Sequence, residues 1–127
     1  MPNRFKKHYT REEARALLPK LRLWLERLAE VRADLEKNDR RLAGLMTGGQ
    51  DTGGKLVNQS VKLLGELKQI LQQFQDREII IKDLQRGLVD FPALIGGREV
   101  FLCWEKDEDD VEFWHDIDSG YAGREPL

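Results

Sequence analysis

Apolar residues recur at alternating intervals of three and four along the first half of the chain. This seam consists of Leu17, Leu21, Trp24, Leu28, Val31, Leu35, Asn38, Leu42 and Leu45. A heptad repeat of this length predicts a long helix that packs along one line against another helix. Its one polar member, Asn38, would fix the register of the pair if buried; the alternative is that Asn38 faces water near a frayed end.

Two features predict how this helix begins. Thr10 and Glu13 have the spacing of a capping box, in which each side chain accepts a hydrogen bond from the other residue's backbone N–H. Pro19 follows within the apolar pattern, and proline lacks the N–H that a helix interior needs. We therefore predict a short first helix to about Leu18, then a kink or a new helix with Pro19 in its first turn.

A second seam follows a glycine-rich turn. Residues 47–54 include four glycines, which predicts a flexible turn. The second seam consists of Leu56, Ser60, Leu63, Leu67, Ile70 and Phe74. Two seams joined by one short connection predict an antiparallel helical hairpin over residues 1–76. A further apolar line of Val57, Leu64 and Leu71 widens the stripe, which indicates contact with the remaining module or with another chain.

From residue 77 the helical period gives way to β-branched and alternating runs. Strands are predicted at residues 78–82, 87–91, 98–105 and 110–117, the second ended by Pro92, with a turn at Ile95-Gly96-Gly97. The fold class predicted for residues 1–127 is therefore α+β in a single domain. It has a helical hairpin (1–76), then a small antiparallel β-sheet of three or four strands with a C-terminal tail (77–127).

The register of the last two strands decides which side chains share a face. A two- or four-residue loop pairs Trp104 with Val111, Leu102 with Phe113 and Val100 with His115. His115 then lies on the face that packs on the helices. Cys103 lies on the opposite face, which argues against a Cys-His dyad. Phe101 and Trp114 form an exposed aromatic pair there, a candidate contact surface. A loop of three or five residues would change this register.

Charge is distributed unevenly along the chain, although the net charge is only -2. Residues 1–50 carry 12 Lys+Arg and 7 Asp+Glu, whereas residues 51–127 carry 9 and 16. The basic half permits weak nucleic-acid binding along the first helix, but its acidic residues dilute the stripe. We favour a solvated helix face, whose partner could be the acidic half of a second copy.

Cysteine content and the lack of long apolar segments indicate the cellular compartment. A single cysteine, Cys103, cannot form an intramolecular disulfide, which is typical of a reducing compartment. No apolar run approaches the roughly 18 residues of a membrane span, and the first residues lack the apolar core of a signal peptide. A cytoplasmic protein that does not contact the membrane is therefore expected.

Few residues offer candidate chemistry. Asp90 is a charge in an apolar strand, and we expect it to pair with Arg98 or Arg124. His115, with Asp90 and Asp116 nearby, supplies acceptable metal-ligand types, but Asp116 points away from it and no second histidine lies nearby. We therefore predict no metal and no cofactor, and a His115 that is hydrogen-bonded at the edge of the core. The glycine-containing tail could hold an anion beside Arg124, although a pair between Arg124 and a carboxylate is favoured.

The ordered motifs resemble a known bacterial family. They are residues 87–93, 97–100, 102–104, 113–115 and 120–126, preceded by the opening 9–14 with Leu17-Leu18-Pro19. This set resembles the family catalogued as domain of unknown function 2203. The resemblance implies a bacterial cytoplasmic protein of the same fold, but no activity. The family's signature matches Asp90, Arg98, Cys103, Trp104, Trp114, His115, Gly123 and Arg124. The acidic link at residues 106–110 departs from the Gly-Glu turn of the family.

Three functional hypotheses follow. The first is a non-enzymatic interaction or scaffolding module that forms a homodimer through its helices and binds an unidentified protein partner. The second is a small-ligand, metal-binding or enzymatic site built from Asp90, His115 and Arg124, lined by Trp104 or Trp114. The third, least favoured, is nucleic-acid binding along the first helix. The absence of a catalytic motif favours the first hypothesis.

Overall fold

The computed structural model describes residues 3–47 and 54–127. The elements are α1 (Arg11–Thr47), α2 (Gly54–Asp76), β1 (Ile80–Asp83), β2 (Leu88–Ile95), β3 (Arg98–Glu105), β4 (Phe113–Asp116) and β5 (Glu125–Pro126), with a 3-10 turn at Tyr121–Gly123. The strands form one antiparallel sheet in the order β1-β2-β3-β4-β5. The predicted α+β class is confirmed. The predicted glycine-rich turn falls mainly on residues 48–53, outside the described residues.

The capping box at the start of α1 is confirmed. The Thr10 hydroxyl accepts from the Glu13 N–H at 3.1 Å, and the Glu13 carboxylate accepts from the Thr10 N–H, also at 3.1 Å. Two N–H groups that the first helical turn leaves unpaired are thus satisfied.

The short first helix predicted to end near Leu18 is wrong, and no new helix begins at Pro19; the alternative of a kink at Pro19 stays a prediction. One helix runs from Arg11 to Thr47 with Pro19 inside it. A proline in a helix interior costs about 3 kcal/mol. Leu18, Leu21 and Leu25 on either side of the proline are all buried in the same core. Their burial offsets the cost, because each fully buried leucine contributes about 1.5–3 kcal/mol.

The hairpin is antiparallel and its first seam is buried as predicted near the sheet. Leu21, Leu28 and Val31 are fully buried. Asn38 is 7% exposed, and its amide donates to the Ser60 hydroxyl at 3.4 Å. The buried alternative for Asn38 is therefore confirmed, because this bond joins the two seams across the hairpin.

The strand boundaries differ from the prediction at Pro92. β2 continues through Pro92 to Ile95. The Pro92 carbonyl accepts from the Tyr9 N–H at 2.7 Å, on the side of β2 that faces away from β3. A residue's N–H and C=O point to the same side of an antiparallel strand, so the missing N–H of Pro92 leaves the β2–β3 ladder intact. β5 was not predicted, and the sheet has five strands rather than three or four.

The predicted register between the last two long strands is wrong by one residue. Phe101 pairs with His115, Leu102 with Trp114 and Cys103 with Phe113. Nine residues separate Cys103 from Phe113, and a connection of odd length inverts the alternation assumed for an even loop. Glu108 shapes this connection: its N–H donates to the Glu105 carbonyl, and its carboxylate accepts from the Glu105 N–H, both at 2.8 Å.

The corrected register defines two faces of the sheet. The helix face packs on α1 and α2 and carries Val89, Phe91, Leu102, Trp104 and, at its edge, Trp114. The outer face carries Asp90, Phe101, Cys103 and His115, and all four are buried. Phe101 therefore contacts the His115 and Phe5 rings, both at 5.5 Å between centroids, rather than Trp114. The predicted exposed aromatic pair does not form.

None of the helices in the described part of the chain is long and apolar enough to cross a membrane.

Candidate functional site

Three possible metal-ligating side chains converge on the outer face of the sheet, and we call them the Asp-Cys-His cluster. Asp90 on β2 pairs directly with Cys103 on β3, and His115 comes from β4. One ligand atom of each residue lies within 4.8 Å of the other two. Asp90, Cys103 and His115 are only 1%, 1% and 3% exposed. Three adjacent strands thus hold three different donor types in one buried position.

Hydrogen bonds fix the orientation of the His115 ring. Its Nδ1 lies 2.7 Å from the Asp116 carbonyl oxygen, and its Nε2 lies 3.0 Å from Asp90 Oδ1. A carbonyl oxygen only accepts, so Nδ1 carries a hydrogen and donates. The hydrogen bond between Nε2 and Oδ1 then needs one proton, shared between the imidazole and the carboxyl group. The prediction of a hydrogen-bonded His115 is confirmed.

The carboxyl group of Asp90 has one well-formed hydrogen bond, to His115. Among the described residues, its Oδ2 is buried with no hydrogen-bond partner. Burial raises the pKa of Asp90, the hydrogen bond from His115 opposes that rise, and the neighbouring Cys103 thiol contributes only a small lowering of this pKa. An unpaired buried carboxylate oxygen is costly, because it has lost its water without gaining another donor.

The Cys103 thiol is not an activated nucleophile. Burial, and next the negative charge of Asp90, raise the pKa of Cys103 to about 12. Reactive cysteines have lowered pKa values and partial exposure, and Cys103 has neither. The predicted register put Cys103 and His115 on opposite faces, which is wrong because they share the outer face. Nucleophilic catalysis is disfavoured for a different reason, namely the protonation and burial of the thiol.

Arg124 lies at the rim of the cluster rather than against Asp90. Its guanidinium carbon is 3.7 Å from the Phe113 ring centroid, and the group is paired with Glu108. Its positive charge partly opposes the raised pKa of Cys103. The expected pair between Asp90 and an arginine is therefore wrong, since Asp90 binds His115 and Arg98 is paired with Asp116.

The two signature tryptophans do not line the cluster. Trp104 is fully buried on the helix face and donates its indole N–H to the Glu108 carbonyl at 2.8 Å. Trp114 packs against the same core, and Arg98 lies over its ring at 5.8 Å. The residues of the family signature therefore lie on both faces of the sheet, the tryptophans on the helix face and the Asp-Cys-His cluster on the outer face. Of the predicted site, the structure brings Asp90 and His115 together and leaves Arg124 at the rim, but neither tryptophan lines it.

A second feature with functional potential is an exposed apolar line on α2, which we call the α2 stripe. Val57, Val61, Leu64 and Leu71 are 47%, 62%, 53% and 37% exposed. Together with Lys68 they are spaced by four, three, four and three residues, which is a heptad line directly beside the seam that packs on α1. The surplus apolar line predicted from the sequence is therefore left uncovered by the sheet.

Five arginines of α1 form ion pairs or hydrogen bonds with other residues of the same chain. The pairs are Arg11 and Arg15 with Asp110, Arg22 with the Glu108 carbonyl, Arg27 with Glu66, and Arg32 with Glu36. Basic residues of the first 50 positions therefore pair with acidic residues of positions 51–127. This pairing lowers the positive electrostatic potential that nucleic-acid binding would need.

One signal in the sequence could have located the cluster. The two-residue turn at Gly96 and Gly97, with φ of 58° and 78°, sets the β2–β3 register and places Asp90 opposite Cys103. His115 could not be added in the same way, because no short turn fixes the β3–β4 register. Sequence reasoning also missed Glu78 and Glu99, whose carboxylates bind the backbone of residues 4–7.

Comparison with known proteins gives one match. No curated protein and no solved structure matches this chain. A family model described as an uncharacterized conserved protein (DUF2203) matches residues 7–127. Because the match covers nearly the whole chain and agrees with the motifs quoted above, the protein belongs to the domain of unknown function 2203 family.

Proposed function

We propose that this protein is a non-enzymatic interaction module of the bacterial cytoplasm that forms a homodimer through α2. The observation that carries the proposal is the α2 stripe, a heptad line of exposed Val57, Val61, Leu64 and Leu71. The single, buried thiol is consistent with a reducing compartment.

The stripe has the form that helix pairing requires. It extends over residues 57–71, about 21 Å at 1.5 Å per residue. α2 carries five charged residues in 23, and only Lys68 among them lies in the stripe. Complete burial of an exposed valine or leucine contributes about 1.5–3 kcal/mol. In a twofold dimer, each stripe residue would be buried in both copies.

A second copy is the occupant that best fits the stripe. The interface of a twofold dimer is self-complementary, so one apolar line suffices for both partners. An antiparallel α2 pair centred on Leu64 would place Val57 of each copy against Leu71 of the other. A side-chain carbon added to Gly65 would meet no atom within 4 Å, so Gly65 leaves room for close approach. Lys68 would favour one register, because a polar residue in an apolar seam disfavours the alternatives.

The apolar surface continues beyond the helix. Leu71 also lines a groove with Phe5, Phe74 and Ile80, next to the unpaired edge of β1. Stable interfaces bury about 1,200 Å² or more in total. A groove contiguous with the stripe supplies area that a single pair of helices lacks.

Sedimentation equilibrium at micromolar concentration tests the proposal. The wild-type chain should have twice its monomer mass of 14.8 kDa. The double variant Val61→Glu/Leu64→Glu should sediment as a monomer with unchanged circular dichroism, since both side chains are exposed in the single chain. Leu23→Glu is the matched control, because Leu23 on α1 is 67% exposed but lies off the stripe. A monomeric wild type, or a dimer that survives the double variant, would rule the proposal out.

A further inference from the structure

We propose that Asp90, Cys103 and His115 together bind one divalent transition-metal ion of the zinc class. The observation behind this is the convergence, on three adjacent strands, of a carboxylate, a thiol and an imidazole whose donor atoms lie within 4.8 Å of one another. The site is distinct from the α2 stripe and does not depend on dimerisation.

The spacing of the donor atoms suits a small tetrahedral ion. Zinc binds nitrogen and oxygen at about 2.0 Å and sulfur at about 2.3 Å, so its ligand atoms lie roughly 3.3–3.7 Å from one another. His115 Nε2 and Asp90 Oδ1 are 3.0 Å apart. Side-chain adjustments of about 1 Å or less bring all three donors to this separation. The fourth position of the tetrahedron is left for water.

The hydrogen bonding of His115 matches that of a metal ligand. Its Nδ1 donates to the Asp116 carbonyl at 2.7 Å, which turns Nε2 toward Asp90. Ligating histidines commonly donate their other ring N–H to a carbonyl or carboxylate, which fixes the tautomer and the ring orientation. The ring is therefore already oriented for Nε2 coordination.

An unsatisfied atom is the independent observation that points to a ligand. Asp90 is 1% exposed, and within the described residues its Oδ2 has no hydrogen-bond partner. A cation in the cluster would give this carboxylate the partner it lacks. Thiolate and carboxylate together carry two negative charges, so a divalent ion makes the buried site neutral. Binding releases to solvent the thiol proton and the proton shared by His115 and Asp90.

The donor types decide the class of ion. Thiolate and imidazole ligands favour zinc and related transition metals, whereas magnesium and calcium require mostly oxygen ligands. Two cations lie at the rim of the cluster and do not occupy it. Arg124 is paired with Glu108, and Lys82 is exposed and lies 5.5 Å from the Phe101 ring centroid.

Cobalt(II) provides a direct spectroscopic test on the full chain. Cobalt should be added to the folded protein and also during refolding from denaturant, so that a buried site can be loaded. We expect one equivalent to bind with a thiolate-to-cobalt charge-transfer band and the visible bands of tetrahedral cobalt, and zinc should displace it. The charge-transfer band should disappear in Cys103→Ser, and Asp90→Asn and His115→Gln should each weaken binding at least tenfold.

The control is the other histidine. His8 hydrogen-bonds Glu99 at 2.8 Å, far from the cluster in sequence and on the N-terminal segment, so His8→Gln should bind cobalt like the wild type. The wild-type spectrum decides the question even if a variant fails to fold. No charge-transfer band after both loading procedures overturns the proposal. Equal zinc binding by wild type and Cys103→Ser also overturns it, because the ion would then lie elsewhere.

Discussion

Asp90 shows how a charge in an apolar strand can be held without an arginine. The sequence required a partner, because an unpaired buried carboxylate is too costly to retain. It did not identify the partner, because Arg98 and Arg124 were the obvious cations. The structure gives Asp90 a histidine at 3.0 Å and leaves one carboxylate oxygen unsatisfied. In the proposed site, a metal ion would supply the partner that this buried carboxylate oxygen lacks.

Gly87 is a residue whose replacement should be costly. Its φ is +66°, and a side-chain carbon placed on it would lie 2.7–2.8 Å from Cβ, Cγ and Cδ of Lys106. The Lys106 N–H also donates to the Gly87 carbonyl at 3.1 Å, so the two segments cannot easily separate. We expect Gly87→Ala to lower the free energy of unfolding by about 1–3 kcal/mol, from left-handed strain and overpacking.

Urea unfolding at fixed protein concentration measures this effect, and Gly44→Ala is the matched control. Gly44 lies inside α1 with no atom within 4 Å of an added side-chain carbon. There the same substitution should raise the free energy of unfolding by about 0.5–1 kcal/mol, because alanine favours the helix. If Gly87→Ala were as stable as the wild type, the strain assigned to this turn would be incorrect.

The capping box at the start of α1 should make the stability of the fold depend on pH. Thr10→Ala removes the side-chain acceptor for the Glu13 N–H and should cost about 1 kcal/mol. The hydrogen bonds from Thr10, the backbone one first, lower the pKa of Glu13 below its usual 4.5. A lowered folded-state pKa means that the ionised carboxylate stabilises the fold above pH 4.5, and that this contribution is lost as the pH falls through the lowered value.

Urea unfolding across a pH series provides the measurement. Glu13→Gln should be less stable than the wild type at neutral pH, and the difference should shrink as the pH falls below 4.5. Glu12→Gln is the control, because it changes a neighbouring acidic residue of the same helical turn that takes no part in the capping box. A difference that grows on acidification would contradict the assigned role of Glu13.

The elements also show how far sequence reasoning reached. Local signals were reliable: the capping residues, the heptad seams, the Gly96-Gly97 turn and the limits of β3 all match the structure. The β3–β4 register was not predictable, because a connection bent by Glu108 contacts replaces a short turn. One residue of register moved His115 to the face of Cys103 and Trp114 to the helix face. The Asp-Cys-His cluster could therefore not be predicted from the sequence, because it depends on the β3–β4 register.

Two segments, one around Phe5 and one around Arg124, cover the outer face of the sheet. Phe5 packs on Phe101 at 5.5 Å, and Arg124 near the C-terminus lies over Phe113. The sequence could not reveal this cover, because both segments lack periodic patterns. A sheet with helices on one side and two irregular segments on the other explains why charged and polar residues of the outer face are buried.

Two carboxylates attach the N-terminal segment, and their removal is predicted to release it. Glu99 accepts from the backbone N–H groups of Arg4 and Phe5 at 2.8 and 3.1 Å. Glu78 accepts from those of Lys6 and Lys7 at 2.9 and 2.8 Å. Charged hydrogen bonds contribute about 1.5–3 kcal/mol each when buried and much less when exposed. We expect the double variant Glu78→Ala/Glu99→Ala to lose about 2 kcal/mol of unfolding free energy.

Hydrogen–deuterium exchange should locate the loss. The amides of residues 4–9 should exchange much faster in the double variant, while those in the middle of α1 remain protected. Lys6→Ala is the matched control, because the bond from Lys6 to Glu78 comes from the backbone and survives removal of the side chain. Unchanged exchange in residues 4–9 would mean that Phe5 packing and the backbone hydrogen bond from Tyr9 to Pro92 hold the segment without the two carboxylates. If the amides of residues 4–9 exchange faster while those of α1 stay protected, the two carboxylates hold the N-terminal segment against the buried outer face of the sheet.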